Sequence, residues 1–92
     1  MKKYNVELLP AAYADLDEIF DYIMRSLHRL ENFPQSGAPL TERSVKKFNF
    51  KMAIINPYIA FYRFIDGKVI IYRILHCARN YPHLLKESMK KL

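Results

Sequence analysis

The side chains best suited to chemistry stand close together near the carboxy-terminal end: His76, Arg79 and Tyr81, where the last predicted strand stops. An imidazole moves a proton near neutral pH. A guanidinium forks onto two phosphate oxygens at once. A phenol donates a proton or stacks on a nucleobase. These types match the needs of phosphodiester cleavage by a neighbouring hydroxyl: one group to take the proton, one to steady the phosphorane charge, one to protonate the leaving oxygen. Upstream, Lys46, Lys47 and Lys51 are suited to hold an RNA backbone electrostatically, and Arg73 adds a cation inside the last strand. No metal-ligand spacing is present, and the scheme needs neither metal nor cofactor. Each residue also has a plainer reading. His76 is then a hydrogen-bonded strand end, Tyr81 packs beside Pro82, the lysines are solvated, and Arg63 and Arg73 snorkel from the sheet.

The distribution of charge fits a polyanionic partner. Residues 1–42 carry four basic against seven acidic side chains, and residues 43–92 carry eleven basic against Asp66 and Glu87 alone. The first half is therefore at −3 and the second at +9, within an overall +6. Such asymmetry suits nucleic acid or an acidic protein. Cys77 is the single cysteine, which excludes an internal disulfide and a thiolate zinc site and leads us to expect a reducing cytoplasm. No apolar run approaches the ~18–20 residues of a spanning helix, so no membrane role is expected.

The elements that must position these groups are legible in outline. With 92 residues, 51% of them hydrophobic and 26% charged, the chain is read as one domain over 1–92. Tyr4 to Leu9 alternates as a first strand and Pro10 closes it. Pro10, the following alanines and an acidic cluster open a helix, whose apolar positions Leu16, Ile19, Phe20, Ile23, Leu27 and Leu30 share one face. A single helix over 10–32 would be about 35 Å long at 1.5 Å per residue, long for so small a domain. Phe48–Ile55, Tyr58–Ile65 and Lys68–Leu75 read as an antiparallel three-stranded meander, with Asp66-Gly67 as a two-residue hairpin turn. Residues 83–92 form a short helix or a basic tail. The fold class is α+β.

The turn sets an expected register: Ile65 opposite Lys68, Arg63 opposite Ile70, Phe61 opposite Tyr72 and Ile59 opposite Ile74 on one face. On the other face Tyr62 meets Ile71, and Ala60 meets Arg73. Both faces are mostly apolar, and one helix covers only one of them. The second face needs unplaced chain, a second copy or another protein.

Ordered strings along nearly the whole chain resemble the RelE/ParE toxins of toxin–antitoxin systems. They are Tyr4-Asn5-Val6-Glu7-Leu8-Leu9-Pro10, Asp15-Leu16-Asp17-Glu18-Ile19, Leu30-Glu31-Asn32-Phe33-Pro34-Gln35-Ser36-Gly37, Phe61-Tyr62-Arg63, and Arg73-Ile74-Leu75-His76 with Arg79 and Tyr81. The resemblance implies a sheet preceded by a helical hairpin. Roughly one helix's worth of that hairpin is missing here, leaving either a single long helix or a shortened hairpin. It also implies a cytoplasmic toxin neutralised by a cognate acidic antitoxin, in a hetero-oligomer or with a homodimer of the toxin.

Two activities follow from the resemblance. One is ribosome-dependent cleavage of mRNA, with His76, Arg79 and Tyr81 catalytic and Lys46, Lys47, Lys51 and Arg73 on RNA. The other is ParE-type inhibition of DNA gyrase without chemistry, and a degenerate, inactive member is a third reading. The nuclease branch typically carries an arginine where this chain has Ile59. Antitoxin side chains are expected over Ile59, Phe61 and Ile74.

Overall fold

The computed structural model describes residues 4–16, 20–43, 45–76 and 81–90. In chain order these form β1 (Asn5–Leu8), α1 (Pro10–Leu16), α2 (Phe20–Leu27), α3 (Arg29–Asn32), β2 (Ala38–Pro39), β3 (Lys51–Ile55), β4 (Tyr58–Ile65), β5 (Lys68–His76) and α4 (Tyr81–Lys90). A 3-10 turn, Lys46–Phe48, precedes β3. The five strands make one sheet in the order β1-β5-β4-β3-β2. The expected meander is its centre, the expected first strand forms one edge as β1, and only the β2 edge was not anticipated. β1 lies parallel to β5, with Val6 opposite Val69 and Leu8 opposite Ile71. The two residues of β2 run antiparallel to β3. Phe48 belongs to the 3-10 turn rather than to β3, because Asn49 adopts a left-handed conformation (φ 60°) that breaks the extended chain.

The hairpin turn forms as its residue types demand. Asp66 (φ 52°) and Gly67 (φ 75°) both take positive φ, which matches the twist of the strands they join. From this turn the register holds through Ile65–Lys68, Phe64–Val69, Arg63–Ile70 and Tyr62–Ile71. It then slips by one: Phe61 stands opposite Arg73, and Ile59 opposite Leu75. Tyr72 is the extra residue of a bulge, which corrects the expected pairing of Ile59 with Ile74. A two-residue turn fixes register only as far as the first bulge.

Alternation along β4 divides the interior in two. Tyr58, Ala60, Tyr62 and Phe64 face one core with Leu16, Ile23, Leu27 and Leu30. Ile59 and Phe61 face a second core with Phe50, Tyr72, Leu75 and Leu85. The second apolar face is thus covered from within, by α4 and by the segment from Leu40 to Phe50. The carboxy-terminal stretch is a helix because it has a sheet to pack on. Phe61 and Ile74 are 1% and 3% exposed and lie in different cores, so neither offers the antitoxin surface expected of them. Ile59 alone of the three keeps partial exposure.

The helical material before the sheet is not one long helix. Leu9 donates to Ile71 O and Asp15 accepts from Ile74, so α1 climbs along β5 away from the hairpin turn. Tyr22 on α2 donates to Asn56 O at the β3–β4 turn, while Tyr4 donates to Glu31 O at the opposite end of the sheet. The α2–α3 pair therefore runs back toward the β4–β5 turn. This is the shortened hairpin rather than the single helix, and packing on both ends of the sheet decides between them.

Candidate functional site

The end of the sheet where β5 stops carries the groups expected to do chemistry. His76 is the last residue of β5 and pairs across the ladder with Tyr58. Their rings meet edge to face at 5.9 Å, on the face of the sheet that carries α1, α2 and α3. Tyr81 opens α4 on the other face, and its ring stacks on Phe61 at 5.0 Å and 24°. The sheet therefore stands between the imidazole and the phenol. Arg79 and Cys77 lie outside the described residues.

Arg73 is engaged by the fold itself. Its Nε and Nη2 donate to the two carboxylate oxygens of Asp15 at 2.8 and 2.9 Å. The same Oδ2 accepts the Ile74 N–H at 2.9 Å. With side chains only 17% and 14% exposed, this bidentate pair is largely screened from solvent. The hydrogen bond to Asp15 raises the Arg73 pKa against the opposing effect of burial, which keeps the guanidinium charged. Sequence reasoning placed Asp15 only in an acidic helix start, and nothing in its spacing points to a residue 58 positions away.

The three lysines sit together at the start of β3. Lys46 and Lys47 are exposed on the 3-10 turn, with the Lys47 ammonium 5.2 Å from the centroid of Phe48. Lys51 begins β3 and is half-buried. Lys46, Asn49 and Lys51 share a concavity of about 370 Å³ with Phe50, Thr41 and Gln35. This cluster lies toward the β4–β5 turn, since Lys51 stands opposite Tyr62, whereas Tyr58 and His76 pair at the other end of the strands.

Two further features stand on the second face, of which only Arg63 was named from the sequence, as a side chain snorkelling from the sheet. Ile54 is 60% exposed and pairs with Ile59, which in turn pairs with Leu75. This apolar row occupies the place where an arginine was sought. Arg63, under α4, is half-buried. Among the described residues no group of three or more His, Cys, Asp or Glu side chains gathers to hold a metal ion, and no helix is long and apolar enough to cross a membrane.

Comparison with known proteins places this arrangement. A family model described as the ParE toxin of the type II toxin–antitoxin system parDE matches residues 6–81. The chain belongs to the ParE toxin family. The match runs from the second residue of β1 to the first residue of α4 and so takes in all of the sheet but Asn5. Among solved structures, this ParE-family chain is similar to one from the toxin–antitoxin complex RelBE2 of Mycobacterium tuberculosis. The two are 23% identical with a TM-score of 0.64, over 80% of this chain and 98% of the other. That likeness establishes the RelE-type fold for the ParE-family chain. No curated protein matches it.

Proposed function

We infer that this ParE-family toxin acts by binding its target protein, DNA gyrase by the resemblance to ParE, and performs no chemistry on RNA. The observation that carries this reading is the separation of His76 from Tyr81 by the sheet. Cleavage by a neighbouring hydroxyl needs a proton acceptor and a proton donor on one phosphate. Groups held on opposite faces do not converge there. The exposed Ile54 and the half-buried Ile59 beside it support the same reading, because apolar side chains give nothing to a phosphorane and suit a protein surface. The engagement of Arg73 by Asp15 also removes a cation from the set proposed for RNA.

The test sets the purified full-length chain against gyrase supercoiling and against translating ribosomes, side by side. Inhibited supercoiling with intact mRNA is the expected result, and His76→Ala should leave the inhibition unchanged. Cleaved mRNA, with cleavage lost in Arg79→Ala, would overturn the reading and restore the nuclease. A cognate acidic antitoxin encoded beside the toxin should relieve the inhibition.

A further inference from the structure

The sheet has two edges, β2 and β1, and they differ in what they offer. β2 has two residues, one of them Pro39, which has no N–H to give. β1 has four residues and no proline, and it alternates exposed Asn5 and Glu7 with half-buried Val6 and Leu8. The bond from Leu9 N–H to Ile71 O fixes which backbone groups of β1 are in use. Every second residue of a parallel strand bonds to its neighbour, so Asn5, Glu7 and Leu9 turn their N–H and C=O toward β5. Val6 and Leu8 turn theirs outward. Tyr4 has the same outward sense, and its N–H is given to Glu31 O. The outward groups of Val6 and Leu8 have no partner among the described residues. Such a row is a template for another strand.

We propose that this edge binds a second copy of the chain, β1 antiparallel to β1 about a two-fold axis. The register must set outward residues against outward residues, and one choice suits both copies. Centred on Val6, the two valines exchange both N–H···O bonds, and Asn5 of each copy stands opposite Glu7 of the other. A carboxamide then donates to a carboxylate at two symmetric places. Centred on Glu7, the pairing sets two carboxylates face to face, which destabilises it. Centred on Leu8, it brings Val6 against Pro10, which has no N–H and starts α1. Centred on Asn5, it sets Val6 against Tyr4, whose N–H is already given. Side chains and charge favour the same occupant. Val6 and Leu8 pack on the first core, and a concavity of about 370 Å³ lined by Tyr4, Val6, Met24 and His28 lies beside them to take the apolar side chains of the second strand. The edge belongs to the half of the chain at −3, with Glu7 on it and Glu31 beside it. Nucleic acid and acidic peptides are repelled there, whereas a second copy brings Asn5 to Glu7. Glu7 Oε1 lies 3.6 Å from Lys68 Nζ, which holds that carboxylate on the face where Asn5 meets it.

The experiment is sedimentation equilibrium of the full-length chain over a range of concentrations, with amide exchange followed by NMR. A reversible dimer is expected. The Val6 amide should exchange more slowly as concentration rises, while the Glu7 amide, bonded to β5, stays slow throughout. This readout needs no variant to fold. Asn5→Asp sets a second carboxylate opposite Glu7 and should raise the dissociation constant about tenfold at neutral pH. Asn5→Lys sets opposite charges face to face and should dimerise at least as tightly as wild type. Asn5 is exposed, so both changes spare the fold. Val6→Pro removes only an outward N–H from the ladder and should leave a monomer whose β4–β5 amides keep their native shifts. A strict monomer at about millimolar concentration overturns the proposal. So does a Val6 amide whose exchange ignores concentration, or a dimer as tight in Asn5→Asp as in wild type. A dimer that survives in folded Val6→Pro overturns it too, by placing the contact elsewhere on the molecule.

Discussion

Asp15 on α1 holds Arg73 on β5 with both carboxylate oxygens, at 2.8 and 2.9 Å, and takes the Ile74 N–H at 2.9 Å as well. The contact falls at the bulge, where Tyr72 is the extra residue and β1 no longer accompanies β5 beyond Ile71. One carboxylate thus satisfies a backbone donor past the end of its neighbouring strand and ties the helix to the sheet. Asp15→Ala should destabilise the domain by about 2 kcal/mol, within the range for hydrogen bonds to charged groups and below a fully buried pair. Urea unfolding measures it. In a double-mutant cycle with Arg73→Met the two losses should be strongly non-additive, and simple additivity would show that the pair is not coupled.

Gly37 is a matter of room. Its N–H donates to Tyr62 Oη at 2.9 Å, and a Cβ there would lie 2.5 Å from that oxygen and 2.7 Å from the Met52 carbonyl oxygen. Gly37→Ala should therefore cost about 2 kcal/mol, in the range of overpacked cores. Tyr62→Phe in the same chain should rescue only part of the loss, because the Met52 carbonyl is backbone. Full rescue in thermal melts would place the clash on the hydroxyl alone.

The Tyr62 phenol gives the domain an alkaline limit. Burial raises its pKa above the ordinary 10.0, and the Gly37 hydrogen bond and the Arg29 charge lower it part of the way back. The folded state thus keeps the proton more tightly than the unfolded state. This contribution to stability is whole below about pH 10 and falls as pH rises through the folded value. Unfolding free energy measured at pH 8 and at about pH 11 should drop less in Tyr62→Phe than in wild type. Equal drops would assign the limit to other groups.

The exposed apolar side chain of Ile54 on the second face supports the target-binding reading. Ile54 is 60% exposed, so Ile54→Glu should leave stability within about 0.5 kcal/mol, as surface substitutions usually do. The same change should raise the toxin concentration needed for half-inhibition of gyrase by at least tenfold, because a charge would be buried at the interface. Unaltered inhibition by a folded Ile54→Glu protein would move the docking surface elsewhere.

The sequence alone determined what local chemistry determines. Asp66-Gly67 specified the hairpin and its first four pairs, because few residues tolerate two successive positive φ angles. Pro10 and the spacing of Leu16, Ile23, Leu27 and Leu30 marked the helical face, and the ordered strings pointed to the family. Tertiary structure decided whatever depended on partners far along the chain. Alternation shows that His76 and Tyr81 each belong to some face, but not that they belong to opposite faces. The bulge at Tyr72 has no signature in an apolar run, yet it moves Ile74 from one core to the other. Asp15 and Arg73, 58 positions apart, meet only because β1 lies parallel to β5 and carries α1 across it. α4 covers the second face because burial against Phe61 and Tyr72 rewards a helix that its own composition leaves undecided between helix and basic tail.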